Sequence, residues 1–334
     1  MGDASEVVRL DAGLVRDVRA DVERFAVRSP VVDVPELASE GIGGVGLKLE
    51  SLQPTGSFKV RGAAAKIGSL APSELARGVV TASTGNHGRA VAHVAAQLGA
   101  RATVCLSDNV PAGKRAALEA LGAILDVGGP SQDAAFGRAV EMAAREDGPV
   151  LVHSILDPVT VAGQGTCGLE IADQRADCDL VLVPLSGGGL LAGITVALRS
   201  RLRGVRIIGV SMDRGAAMHA SLAAGHPVEV EEVDSLADSL QGGIGVPNDV
   251  TFPVVRDLVD DVVLVTEDEI AAALRYALVE RHLVLEGAGA VGIAALRAGK
   301  VAGTARSTVV VCSGANVELE TVAALAAGTL GTHA

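Results

Sequence analysis

Rings are nearly absent from this chain: aromatic residues make up 1% of its 334 positions, as Phe25, Phe58, Phe136, Phe252 and Tyr276, with no tryptophan. So few stacking surfaces leave little from which to build a platform for the bases of a single-stranded nucleic acid. Positive charge is short as well. The net charge is −12 and the pI is near 5.1, which argues against a nucleic-acid partner, because counterion release needs clustered Lys and Arg. A small-molecule ligand is the expectation that remains.

Cysteine is sparse. Cys105, Cys167, Cys178 and Cys312 sit singly, with no C-x-x-C pair and no His at ligand spacing, which reads as buried free thiols of a cytoplasmic protein. The first thirteen residues, MGDASEVVRLDAG, lack the basic and apolar regions of an export signal. Only one stretch, residues 180–198, runs nineteen positions without a charge. Pro184 and the run Gly187, Gly188, Gly189 divide it into a strand, a loop and a helix, which a lipid-exposed segment would not tolerate. No membrane partner is expected.

What the chain does contain is 49% hydrophobic residues, mostly Ala, Val and Leu, enough to fill more than one core at this length. From residue 78 onward, short β-branched runs alternate with longer Ala/Leu-rich stretches, the pattern of βαβ units on a parallel sheet. GVVTAS, RATVCL, AILDV and PVLVH read as four strands separated by helices at about 86–99, 112–122 and 131–146. Residues 78–155 thus form one open sheet. A second series follows, with strands DLVLVPL, VRIIGVS, DVVLV and a last one ending at Cys312. No repeat or low-complexity tract interrupts it. An α/β fold of two open parallel-sheet domains follows, with ligands expected outside the carboxyl ends of the strands.

Two glycine-rich loops stand at such ends. In LSGGGLLAG, the glycines Gly187, Gly188 and Gly189 let the backbone approach a ligand, and the amides of the helix start suit a phosphate; Ser186 adds a hydroxyl and Leu190 another amide. The alternative is a plain strand-to-helix turn. GGGLLA at 187–192 and GAGAVG at 287–292 also fit the dinucleotide fingerprint, but neither is followed by a strand ending in the acid that a ribose needs. A nicotinamide-dependent oxidoreductase is therefore a minor alternative.

The chain has only five lysines. Lys48 lies in an apolar run, and Lys66, Lys114 and Lys300 read as solvated surface. Lys59 follows the turn Pro54-Thr55-Gly56-Ser57-Phe58 at the start of a helix. There, apolar surroundings and positive partial charge lower a lysine pKa, as a Schiff-base former requires. By itself this position fits a functional lysine and an ordinary helix lysine equally well. The second loop, ASTGNHGRA at 82–90, gathers Ser83, Thr84, Gly85, Asn86 and His87 at a helix start, where a carboxylate would fit. A Ser or Thr N-cap would explain one of its hydroxyls. His87 reads as a structural residue or one that supports the ligand contacts.

Six segments in register, SLQPTGSFKVRGA, ASTGNHGRA, AGQGT, PLSGGGLLAG, ADSLQGGIG and CSGANVEL, resemble the fold-type II pyridoxal-phosphate (PLP) enzymes of the threonine/serine dehydratase and serine racemase family. The likeness runs from about residue 15 to residue 325. Within the family the chain most resembles the hydroxyectoine-utilisation dehydratase branch, through STGNHGRA and GVSMDRGAAMHASLAAG. The resemblance implies a tryptophan synthase β-like fold, with a large PLP-binding domain (1–77 and 156–334), a small mobile domain (78–155) and a homodimer. Lys59 would be the Schiff-base lysine and the base, with Phe58 packed on the cofactor ring and Asn86 bonded to its 3-oxygen. Ser186, Gly187, Gly188, Gly189 and Leu190 would hold the phosphate, Ser313 the pyridine nitrogen, and Glu286 would join the cofactor contacts. Ser83, Thr84, Gly85, Asn86, His87 and Ser239 would contact the substrate.

A neutral hydroxyl at the pyridine nitrogen cannot keep that nitrogen protonated as a carboxylate would, so elimination is expected over transamination. The implied reaction removes water and ammonia from a 3-hydroxy amino acid. The chain also departs from its family. Thr84 stands where racemase-like members carry a serine as the acid/base on the far face of the cofactor. The resemblance makes it a second catalytic candidate whose hydroxyl is retained, but its restricted rotamers disfavour racemisation with side elimination, the nearest rival reading. Ser211 and Ala217 replace the carboxylates of metal-activated members, so no metal requirement is expected. Asp213 reads as a solvated loop residue, and Ser239 replaces a glycine that lies against the cofactor. A PLP-fold binding protein is the rival outside enzymology.

Overall fold

The computed structural model describes residues 8–329. Strands β1 (Val31–Asp33), β2 (Val45–Leu49), β10 (Thr308–Cys312), β7 (Leu180–Pro184), β8 (Arg206–Met212) and β9 (Asp261–Val265) form one sheet in that spatial order. Strands β5 (Ile124–Val127), β4 (Ala102–Leu106), β3 (Val79–Ala82) and β6 (Val150–Leu151) form a second. All pairings are parallel except β1 with β2 at the edge of the larger sheet. The alternation read from residue 78 onward matches these elements. The pair β1 and β2 was not expected, because β1 is only three residues long and half exposed, too short to show a period.

Side chains of the central strands alternate between two cores. Leu180, Leu182, Val310 and Cys312 enter one, while Val181, Val183, Val309 and Val311 enter the other. Helices cover both faces, which is why these strands are apolar at every position. Helix Pro158–Gln174 begins with the Asp157 carboxylate accepting from the amides of Val159 and Thr160, and Pro158 supplies a preset φ at its first position. It crosses helix Gly189–Arg201 closely: a Cβ on Gly193 would meet the Gly165 backbone.

This helix also carries charge into the interior. Arg61, 1% exposed, donates through Nε and Nη2 to both oxygens of Glu50 at 2.7 and 2.8 Å. Through Nη1 and Nη2 it donates to both oxygens of Glu170 at 2.8 and 2.9 Å. Lys48, fully buried in β2, pairs with Glu170 as well. Two cations thus meet two carboxylates with every charge matched. The apolar run around Lys48 is a buried strand, and this is what makes its lysine tolerable there.

Candidate active site

Four strands from both sheets end at one cavity of about 470 Å³. The segment after β2 brings Phe58 and Lys59; the loops after β3, β7 and β10 bring residues 83–87, 186–190 and 313. Glu286 and Ser239 complete it, so every site residue expected from the sequence lines the same space. The placement at carboxyl ends, with β10 and β7 adjacent where the winding of the larger sheet changes direction, is that of an open α/β ligand site.

The Lys59 turn is built by hydrogen bonds to the end of β10. Phe58 N–H donates to the Ser313 carbonyl at 3.0 Å, and Ala315 N–H donates to the Gly56 carbonyl at 2.9 Å. Gly56 has φ +74°, a left-handed conformation that favours glycine. Lys59 opens helix Lys59–Gly68, and its Nζ lies 5.1 Å from the Phe58 ring centroid. Among the described residues it has no hydrogen-bond or ion-pair partner. Burial lowers its pKa to about 8, a shift that the charge of Glu286 opposes. Lysine amines acylate only when neutral. Labelling of Lys59 in the cofactor-free protein should therefore rise through a midpoint near pH 8, read by peptide mass spectrometry; a midpoint above pH 10 would show an ordinary solvated amine.

The anion loop differs from expectation in one respect. Neither Ser83 nor Thr84 caps the helix that follows: Gly85 occupies the N-cap of helix Asn86–Gln97, with no side-chain capping bond. Both hydroxyls therefore stay available to the cavity. His87 sits deeper, with Nε2 bonded to the Val152 carbonyl at 2.9 Å, and burial together with the charge of Lys59 pushes its pKa down to about 3. A neutral ring that ties the helix to the β6 segment fits the structural reading of this residue.

At the other glycine loop, Gly188 has φ +88° and precedes helix Gly189–Arg201, whose first-turn amides have no carbonyl one turn back to accept them. Thr251 holds the loop by donating from Oγ1 to the Gly187 carbonyl at 2.7 Å, and Asn248 in turn donates to Thr251 at 2.8 Å. Nothing local in the sequence marks this buttress, which reaches back 64 positions. Glu286 accepts from Asn86 Nδ2 at 2.8 and 3.0 Å, with Ser239 Oγ at 3.4 Å, and burial raises its pKa to about 7. Ser313 lines the same cavity, 1% exposed.

One residue expected at the surface also lines this cavity. Lys114 lines the cavity and lies 3.5 Å from Asp238, the only ion pair among the described residues that joins residues 78–155 to the rest of the chain. Its helix, Ala112–Glu119, buries only Leu118, so Lys114 keeps the solvated character expected of it while also lining the cavity.

An unpartnered amine, a run of free amides at a glycine loop and a neutral hydroxyl suit a phosphorylated aldehyde with a ring nitrogen. Comparison with known proteins agrees. The family model described as pyridoxal-phosphate dependent enzyme matches residues 22–314. A putative threonine dehydratase of Sinorhizobium fredii is 49% identical over 315 residues, covering 94% of this chain and 95% of that protein. An L-threonine ammonia-lyase of Geobacter sulfurreducens is 43% identical over 275 residues, 82% of this chain and 68% of the relative. Maize serine racemase superposes with a TM-score of 0.87 at 31% identity, over 97% of this chain and 98% of its own. The chain belongs to the pyridoxal-phosphate dependent enzymes, in the fold-type II family of threonine dehydratases and serine racemases. Its cofactor is pyridoxal 5'-phosphate, and it is a PLP-dependent lyase.

Proposed function

We propose that this enzyme is a dehydratase, or ammonia-lyase, that converts a threonine- or serine-like 3-hydroxy amino acid, or one derived from hydroxyectoine, to a 2-oxo acid and ammonia. The observation that carries the reading is the Lys59 amine, desolvated and without a hydrogen-bond or ion-pair partner among the described residues, in a cavity lined by the loop at 83–87 and by the glycine loop at 186–190. When bound, the cofactor supplies an electron sink that acidifies the α C–H of the amino acid attached to it. Lys59 holds the cofactor and, once its amine is free, takes the α-proton at Nζ; a pKa near the working pH suits that transfer. The amides and hydroxyls at Ser83, Thr84 and Gly85 hold the carboxylate. Ser186, Gly187, Gly188, Gly189 and Leu190 bind the phosphate, and Ser313 offers the ring nitrogen a neutral hydroxyl. Loss of the α-proton and the 3-hydroxyl as water would leave a 2-amino-2-enoic acid, which on release takes a proton at C3 to become the imine, and addition of water to that imine gives the 2-oxo acid and ammonia.

The high identity to a putative threonine dehydratase supports elimination over racemisation. The structural likeness to a serine racemase keeps racemisation as the second reading. L-threonine, L-serine, 3-hydroxyaspartate and a hydroxylated diaminobutyrate derivative should be assayed separately for 2-oxo acid release. At least one should turn over with release of ammonia in equal amount; failure of all four would end the proposal.

Residues 78–155 are proposed to move as a unit over the cavity, with Lys114 and Asp238 as their charged contact. Both side chains are partly solvated, so the pair is worth only about 0.2–1 kcal/mol. Lys114→Ala should therefore raise KM roughly two- to fivefold, with a smaller change in kcat and weaker salt dependence. Exchanging the charges, with Lys114→Asp and Asp238→Lys together, should restore KM.

A further inference from the structure

Asn316, three residues past Ser313, touches three parts of the site at once. Its Nδ2 donates to the Thr55 carbonyl at 2.9 Å and to Asn86 Oδ1 at 2.6 Å, and its backbone N–H donates to Glu286 Oε2 at 3.2 Å. Gly56 leaves the space for it, since a Cβ there would lie 2.6 Å from Asn316 Oδ1.

These bonds form a chain of fixed polarity. A carboxamide presents nearly the same shape either way round, but its two ends have opposite hydrogen-bonding sense. The Thr55 carbonyl can only accept, so it fixes Asn316 with Nδ2 inward. That Nδ2 can only donate, so it fixes Asn86 with Oδ1 toward Asn316. Asn86 Nδ2 is then left facing Glu286 and the cavity. Glu286 alone cannot set this orientation, because its pKa is about 7. When protonated it has both an O–H that can donate to Asn86 Oδ1 and a carbonyl oxygen that can accept from Asn86 Nδ2, so it could bond Asn86 turned either way.

We propose that Asn316 is a positioning residue that holds the donor end of Asn86 toward the cofactor pocket and ties it to the turn carrying Lys59. The inference rests on the placement of Asn86 and Lys59 in the cofactor site, and it stands whether the reaction is elimination or racemisation.

The test is the affinity of the cofactor-free enzyme for pyridoxal 5'-phosphate, followed by absorbance, in wild type, Asn86→Ala, Asn316→Ala and the double variant. Each single substitution should weaken binding about tenfold, the size of one well-formed hydrogen bond. The double variant should be no weaker than the worse single one, because Asn316 acts through Asn86. Asn316→Ala combined with Ser186→Ala should instead multiply the two losses. If Asn316→Ala does not fold, Asn316→Asp takes its place: it keeps the size, removes both hydrogens and should lose the same affinity. Wild-type affinity in the Asn316 variant, or a multiplied loss in the double variant with Asn86→Ala, would overturn the proposal.

Discussion

Lys59→Ala will lose turnover by at least roughly 10³-fold, the range expected when a positioned base is removed, while the cofactor-free protein keeps its thermal midpoint or gains a little. The two halves of this result have one cause. The Lys59 amine is desolvated and has no hydrogen-bond or ion-pair partner among the described residues, so its removal leaves no buried group unsatisfied, and the relief of its burial offsets the loss of its contact with the Phe58 ring. An amine held at a cost to stability is the mark of a group kept for chemistry. Its folded pKa of about 8 lies below the ordinary 10.5, so burial favours the neutral form that abstracts a proton. Lys59→Arg should be as inactive as alanine, since a guanidinium does not give up its proton in a protein. Turnover and thermal melting on the same preparations decide the matter. An alanine variant that melts much lower and keeps a tenth of its activity would make Lys59 a structural lysine.

Arg61→Met will have the opposite profile. It removes no group from the cavity, yet it leaves Glu50 and Glu170 with only Lys48 between them, in a region closed to water. Breaking a buried pair costs about 3–5 kcal/mol, because the remaining charge stays desolvated. Against a total stability of roughly 5–15 kcal/mol this is a large fraction, and the melting temperature should fall on the order of 10 °C. Arg61→Lys should rescue little, because an ammonium cannot make the paired bonds that the guanidinium makes to both carboxylates. Activity in Arg61→Met should also drop, since Arg61 and Lys59 share one helix and the network anchors it.

The same network contributes to stability against acid. Burial pushes the pKa of Glu50 up, but the charge and hydrogen bonds of Arg61, with help from Lys48 and Ser29, outweigh it and hold the carboxyl below its ordinary 4.5. The stability from this ionisation is fully present above pH 4.5 and is lost as the pH falls through the lower folded value. Melting curves between pH 7 and pH 3 should show the wild type losing this contribution only below pH 4.5, whereas Glu50→Gln should lack it at every pH.

The parts of the fold that could be read in the sequence are those whose signal is local. Apolar runs bounded by helices gave the βαβ units, and a triple glycine after a buried strand gave the strand-to-helix loop that lines the cavity. Lys59 gained weight from neighbours at distant positions, which only the family resemblance could connect. Long-range polar bonds were beyond reach. Arg61 meets Glu170 across 109 residues, and Asn316 meets Asn86 across 230, with nothing at either end to name the partner. Ser83 and Thr84 were credible caps by residue type, but Gly85 took the position and freed both hydroxyls. The solvated character of Lys114 could be read from its helix, but its place at the cavity could not, since that cavity exists only once both sheets are in place.

The central claim is that Lys59 drives elimination at this site. The most direct measurement follows an accepted 3-hydroxy amino acid in deuterated water, with 2-oxo acid, ammonia and the enantiomer counted together. Elimination predicts 2-oxo acid and ammonia in equal amounts, accounting for nearly all the substrate consumed. An enantiomer that accumulates with deuterium at Cα and little 2-oxo acid would contradict it.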